Sequence, residues 1–226
     1  MTYDWQPLLL TFKLAGIATL ILCLTGIPFA WWLSQTRIRF KPVLETLVSM
    51  PLVLPPSVLG FYLLLAFSPT HWFGAWMEQI AGLKLAFSFQ GLVLASVIFS
   101  FPFLVHPVQS GFQNLAPSLS EAAYSLGKSR WQTFLQVLLP NIKPQLLAGM
   151  VLAFAHTIGE FGVVLMIGGN MPGQTRVASI AIYDEVEALN YDAANFYAFV
   201  LFAVCFTILL TVYLLNKKFL TKLGGT

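Results

Sequence analysis

The sequence predicts an all-α, polytopic transmembrane helical bundle of about five spans. Three observations carry this: 58% of the 226 residues are hydrophobic, only 9% are charged, and the charges withdraw from long tracts of chain. No Asp, Glu, Lys or Arg falls from Leu14 to Thr36, from Thr46 to Met77, from Leu85 to Ser120 or from Ala193 to Asn216, and Pro144 to Thr175 carries Glu160 alone. Such tracts suffice for membrane spans, which need about 20 predominantly apolar residues. Barrel strands would alternate over segments of about 10 residues, whereas these blocks are continuously apolar.

In chain order, the expected spans run from Pro7 to Leu33, Leu44 to Phe67, Phe89 to Val108, Gln145 to Ile167 and Asn195 to Leu215, in a single membrane domain covering 1–226. The first is too long for the apolar core of a signal peptide and is read as a retained span. Orientation follows from the basic residues. Arg37, Arg39 and Lys41 follow span 1, Lys128, Arg130 and Lys143 lie between spans 3 and 4, and Lys217, Lys218 and Lys222 end the chain. The opposite loops hold Lys84 and Arg176, with Lys13 inside span 1, so the N-terminus is expected outside and the C-terminus in the cytoplasm. The net charge of +3 is scattered between apolar blocks and forms no nucleic-acid patch. Cys23 and Cys205 lie in apolar tracts and read as small hydrophobes rather than as a disulfide.

Pro51, Pro55 and Pro56 fall in or beside span 2, and Pro102 and Pro107 in span 3. Each removes a backbone donor and obstructs the preceding turn. Irregular backbone at membrane depth survives where it is buried in protein or borders a wet cavity, so these spans are either packed, kinked helices or the wall of a transport path.

The segment 115–144 has the grammar of a short helix. Ser118 with Glu121 forms the pattern of a capping box, Ala122 and Ala123 suit a first turn, and Gly127 suits a C-terminal stop. A second apolar run from Trp131 to Leu139 ends at Pro140. From these residues alone the helix is either a docking element or an amphipathic helix on lipid headgroups. Ala122 to Ser129 reads AAYSLGKS, close to a phosphate-loop pattern, but that loop needs a strand before it and a helix after it, and no strand is expected here.

The spacing Glu121-Ala122-Ala123, Gly127, Val137, Leu139-Pro140 resembles the EAA signature of bacterial ABC importer permeases. The resemblance implies that the short helix couples to a cytoplasmic ABC ATPase dimer made of separate chains, through Glu121, Ala122, Ala123, Gly127, Lys128, Arg130 and Pro140. The blocks His156 to Gly162, Gly168 to Arg176 and Met50 to Gly60 resemble those of molybdate permeases, and sulfate and thiosulfate permeases are similar but longer. The implied protein is a subunit of the bacterial inner membrane, surrounded by lipid, that carries molybdate and also tungstate. A molybdate-binding protein outside the membrane would deliver the anion. Five spans make a small bundle, so a second copy of the chain is expected to complete the path.

Glu160 is the single intramembrane carboxylate between Lys143 and Arg176 and therefore a functional candidate. It lies one helical turn beyond His156, which suggests a pair with it or a bond to a neighbouring span. Gating by rearrangement of that pair is the alternative. Neither residue has the companions a metal site requires, and no metal or other cofactor is expected. Pro55, Pro56, Ser57, His156, Thr157 and Glu160 are the candidate path or gate residues. With no cation in mid-span, hydroxyls such as Ser57, Ser96, Ser100 and Thr157 are the available donors, so affinity for a dianion should be weak and recognition should rest with the soluble partner. The segment 168–192 is either an interfacial helix over the path or a surface loop anchored by Tyr183 and Tyr191. No HExxH or comparable proteolytic signature supports an intramembrane enzyme.

Overall fold

The computed structural model describes residues 4–223, with side chains to residue 214. Within them every regular element is a helix, as the apolar pattern requires. Three helices are long and apolar enough to cross a membrane: α1 (Gln6–Gln35), α5 (Phe89–Gln113) and the apolar part of α12 (Tyr191–Leu223). The basic tail used for orientation, Lys217, Lys218 and Lys222, lies beyond the described side chains.

The second expected span is two helices rather than one kinked one. α2 (Lys41–Val53) and α3 (Pro56–Phe67) meet at 113°. The cause is local: Leu54 and Pro55 each precede a proline, which drives both out of the helical region, and their ψ values are 136° at each residue. Prolines do not act alike in the third span. α5 runs continuously through Pro102 and Pro107, each buried or half-buried against neighbouring helices. There the residue before proline stays helical.

A short helix α4 (Trp72–Ala81) lies between α3 and α5, closed by left-handed Gly82. It is absent from the span pattern because ten residues cannot cross a membrane. On the other side of α5 come α6 (Pro117–Ser125), α7 (Arg130–Thr133), a π-helical turn Phe134–Leu138, and α8 (Leu139–Asn141). α9 (Lys143–Gly159) then leaves at 81° to the 130–141 segment. The fourth expected span is interrupted too: α9 stops at Gly159, and α10 (Gly162–Gly168) follows. α11 (Ala178–Glu187) is the helix expected over the 168–192 segment.

α5 is the spine. Its buried residues join two clusters, one near the α4 and α11 end (Leu92, Ala95 and Phe99 with Val163, Val164 and Ile167) and one near the α6 and α7 end (Leu104, Val105 and Val108 with Leu22, Phe134 and Ile142). Small residues allow close approach, as usual between helices in lipid. A Cβ on Gly149 of α9 would stand 3.1 Å from the Leu104 carbonyl oxygen. α12 behaves differently: its first two turns contribute Ala193, Ala194 and Tyr197 to the interior, and the described remainder is largely exposed.

Candidate functional site

Two regions gather the candidate residues. At the first, α6 begins at Pro117, whose fixed φ suits a helix start, so Ala116 is the N-cap and Ser118 is already helical. The capping box expected from Ser118 and Glu121 therefore does not form, and α6 has no side-chain cap. The box is found one helix later, where Ser129 Oγ accepts the Gln132 amide at 3.3 Å and the Ser129 amide donates to Gln132 Oε1 at 2.9 Å.

Between the two helices Gly127 adopts φ +78°. Its amide donates to the Tyr124 carbonyl at 2.9 Å and the Lys128 amide to the Ala123 carbonyl at 3.1 Å, the paired closure that a left-handed residue permits. Those two donors are spent on the helix end. Ala122 to Ser129 consequently has the shape of a helix stop followed by a cap, and no cradle of free amides for phosphate.

Ala123 is buried, while Glu121, Ala122, Gly127, Arg130 and Pro140 are exposed and Lys128 donates to Gln136 Oε1 at 2.5 Å. Tyr124, Leu126 and Trp131 add large exposed apolar groups to the same segment. In the π turn the Leu139 amide reaches back to the Phe134 carbonyl, one residue further than in an α-helix. The wider turn immediately precedes Pro140, which has no amide to give. Phe134 is buried and stacks on Trp31 of α1 at 4.5 Å and on Trp131 at 5.1 Å, with Phe112 of α5 at 5.9 Å. The segment is thus fastened to two membrane helices through one aromatic side chain.

At the second region the two broken helices meet. A Cβ on Gly162, first residue of α10, would stand 2.8 Å from Pro56 Cβ, first residue of α3. A Cβ on Gly60 would lie 3.0 Å from Met166 Cβ, so α3 and α10 pack closely beyond their breaks. Pro55, Pro56 and Ser57 are exposed on the protomer. His156, Thr157 and Glu160 instead face α5. Ser100 Oγ lies 3.0 Å from His156 Nδ1 and 2.8 Å from Thr157 Oγ1, and Ser96 Oγ donates to Glu160 Oε2 at 3.3 Å. Phe99 and Phe103 flank the imidazole at 4.8 and 3.9 Å.

Glu160 does not pair with His156. The helix ends at Gly159 and Glu160 is extended, with ψ 133°, so the helical spacing that would have aligned them is broken between them. The other form of the same expectation, a bond from Glu160 to a neighbouring span, is present to Ser96 of α5. Its Oε2 has Ser96 for a partner, its Oε1 has none among the described residues, and the residue is 5% exposed. Ser96→Ala strips the carboxyl of that bond as well. An unsatisfied buried acceptor costs about 1–3 kcal/mol, which at about 2–4 °C per kcal/mol lowers Tm measurably in detergent. A Tm equal to wild type would show that the bond contributes nothing.

The turn after α10 is internally bonded: Thr175 Oγ1 donates to the Gly168 carbonyl at 2.7 Å, and Asn170 bridges Asp184 and Arg176. Arg176 Nε lies 3.4 Å from Asp184. On α11 the Tyr183 phenol donates to Glu187 at 2.5 Å, and that carboxylate pushes its pKa up. Ser179, also on α11, is a residue the sequence did not single out. Its Oγ donates to the Glu160 carbonyl at 2.6 Å. Ser96 and Ser100 were legible only as available hydroxyls; their four-residue spacing on one face of an otherwise apolar helix was the signal for a shared partner helix.

Comparison with known proteins gives the family. The profile of the family described as "Binding-protein-dependent transport system inner membrane component" matches residues 26–221. The molybdenum transport system permease protein ModB of Azotobacter vinelandii is 43% identical over 212 residues, 93% of each chain. The sulfate transport system permease protein CysT of Escherichia coli is 33% identical over 211 residues, 93% of this chain and 76% of its own. Among solved structures, an inward-facing form of the MetNI methionine ABC transporter aligns over 94% of both chains with a TM-score of 0.72 at 16% identity, a likeness of fold. With a family profile spanning most of the sequence and relatives matching nearly all of it, the chain belongs to the inner membrane components of binding-protein-dependent transport systems, as a multi-pass ABC importer permease.

Proposed function

We propose that this chain is the permease of an ATP-driven molybdate importer, working as a pair of identical copies. The observation that carries the substrate is the 43% identity to a molybdenum transport permease over 93% of each chain, against 33% for the sulfate permease. The blocks around His156 to Gly162 and Gly168 to Arg176 support it. All of 1–226 serves as one permease domain, with 115–144 as its cytoplasmic coupling segment. Sulfate is the second reading, favoured by the sulfate relative.

In this scheme a cytoplasmic ATPase dimer docks on the exposed surface of α6 and α7, where Glu121, Ala122, Gly127, Lys128 and Arg130 are presented. Pro140 and the π turn would carry its closure into α9. The chain itself supplies no ATPase site. The distribution of Lys and Arg supports an orientation with that surface in the cytoplasm and the N-terminus outside, in which a molybdate-binding protein would sit over α4 and α11. The anion would pass between the two copies along the exposed break at Pro55, Pro56 and Ser57. There the start of α3 offers the positive end of a helix dipole and the Ser57 hydroxyl, weak donors suited to transit rather than capture. His156, Thr157 and Glu160 lie behind this surface and set the geometry of the second break.

The test is reconstitution of the permease with its ATPase and binding protein in vesicles, with ATP-dependent uptake of molybdate, tungstate and sulfate measured. Molybdate and tungstate should be taken up alike, because they are nearly isosteric dianions. Uptake of sulfate alone would replace the substrate, and flux without ATP would refute an importer. Native mass spectrometry should find two copies of this chain per complex; one copy with an unrelated second permease would refute the homodimer.

A further inference from the structure

α11 stands between the face assigned to the binding protein and the break after α9. Its outward side carries exposed Val186 and Glu187. Its inward side is bonded to the break itself. Ser179 Oγ donates to the Glu160 carbonyl at 2.6 Å, and the Tyr183 ring lies 5.1 Å from that of Phe161, the next residue along. The Glu160 carbonyl is at the point where the α-helical ladder ends and the backbone becomes extended, so an external donor there fixes the peptide that separates α9 from α10.

The surroundings make this link specific. The Asn170, Arg176 and Asp184 network joins the turn before α11 to α11. The Ala178 amide donates to Thr11 Oγ1 of α1 at 2.8 Å, which holds the start of the helix. The other side of the break is held by Ser96 of α5 through the Glu160 side chain. One residue is therefore gripped twice, by its carbonyl from α11 and by its carboxyl from the spine helix.

We infer that Ser179 is a positioning residue that makes the break at Glu160 and Phe161 respond to what docks on α11. Displacement of α11 by a bound partner pulls on the Glu160 carbonyl while Ser96 holds the carboxyl, and the angle between α9 and α10 changes. Because α9 continues from the coupling segment, the change is delivered towards the ATPase. The inference rests on the proposed importer, and its experiment separates the two.

The measurement is ATPase activity of the reconstituted complex against concentration of molybdate-loaded binding protein, for wild type, Ser179→Ala and Ser179→Thr. Ser179→Ala should keep the half-saturating concentration within about twofold, since no docking group is removed, while the maximal stimulation over basal falls to about one third or less. A fall of about threefold is the size expected from loss of one neutral hydrogen bond. Ser179→Thr retains the hydroxyl and should restore stimulation. Tyr183→Leu removes the ring contact and should lower the maximum in the same way, whereas Tyr183→Phe should not. Full stimulation in Ser179→Ala would overturn the role of Ser179 while leaving the importer standing. A rise in half-saturation with the maximum intact would also overturn it, by making α11 a docking surface alone. If wild type shows no stimulation by the binding protein, the importer and this linkage fall together.

Discussion

Gly127→Val should reduce ATP-dependent transport tenfold or more while leaving the membrane bundle folded. A Cβ at this position meets nothing within 4 Å, so the effect is conformational rather than steric. At φ +78° an L-residue is disfavoured by about 1–2 kcal/mol, and a β-branched one by more. Roughly 1.4 kcal/mol corresponds to a factor of ten in an equilibrium. The strain is relieved if residue 127 leaves the left-handed region. That step breaks the paired bonds to Tyr124 and Ala123 and frees α6 to turn relative to α7. Association with the ATPase should fall with transport, and Tm should change little because the turn is exposed. Gly127→Asn, which tolerates the left-handed region, should keep most activity. Wild-type association and uptake in Gly127→Val would remove this turn from the coupling scheme.

Gly91→Ala should be the most destabilising single methyl added to the described chain. A Cβ there would lie 1.7 Å from the carbonyl oxygen of Leu85 and 2.7 Å from its carbon. The obstacle is backbone, and that backbone is itself held: Leu85 is buried, Ser88 Oγ donates to the Leu85 carbonyl at 3.1 Å, and the Phe87 amide donates to the Ile167 carbonyl at 2.8 Å. The methyl must lift the 85–88 connection from α5 and with it the contact to α10. Overpacking of this kind costs about 1–3 kcal/mol or more, equivalent to about 2–12 °C in Tm for a chain of this size. Gly16→Ala is the control, since its Cβ would meet nothing within 4 Å and alanine is the better helix former. A Tm for Gly91→Ala within about 1 °C of wild type would contradict the close approach.

The long helices were readable because a bilayer demands a run of apolar residues, and α1, α5 and α12 satisfy it without interruption. The interruption at Leu54 was readable in part, since two residues in succession precede proline; its size, a right angle and more, was not. The break at Glu160 leaves no such mark. It is flanked by Gly159 and Gly162, but what maintains it is bonding from Ser96 and Ser179, residues distant in sequence. A pattern that assumed a continuous helix therefore aligned Glu160 with His156. The capping box went to Ser118 for a different reason, because Pro117 advanced the helix start by two residues, with Ala116 as the N-cap, and the four-residue motif cannot register that. Gly127 was readable, because a left-handed stop is a property of one residue.

The weak attachment of α12 bears on how the protein is made. Synthesis proceeds from the N-terminus, and domains fold as their parts become available. The buried residues of both principal clusters come from the chain up to Ile180, whereas α12 supplies buried Tyr197 and partly buried Phe196, Val200 and Leu201 to a small third cluster with Leu8, Ala178 and Ala181. A ribosome that has released residues up to the end of α11 has supplied nearly the whole interior. The last span is then laid against a finished body, anchored by its first turns and by the Tyr197 hydroxyl on the Asp4 carbonyl, 2.8 Å away near the start of the chain.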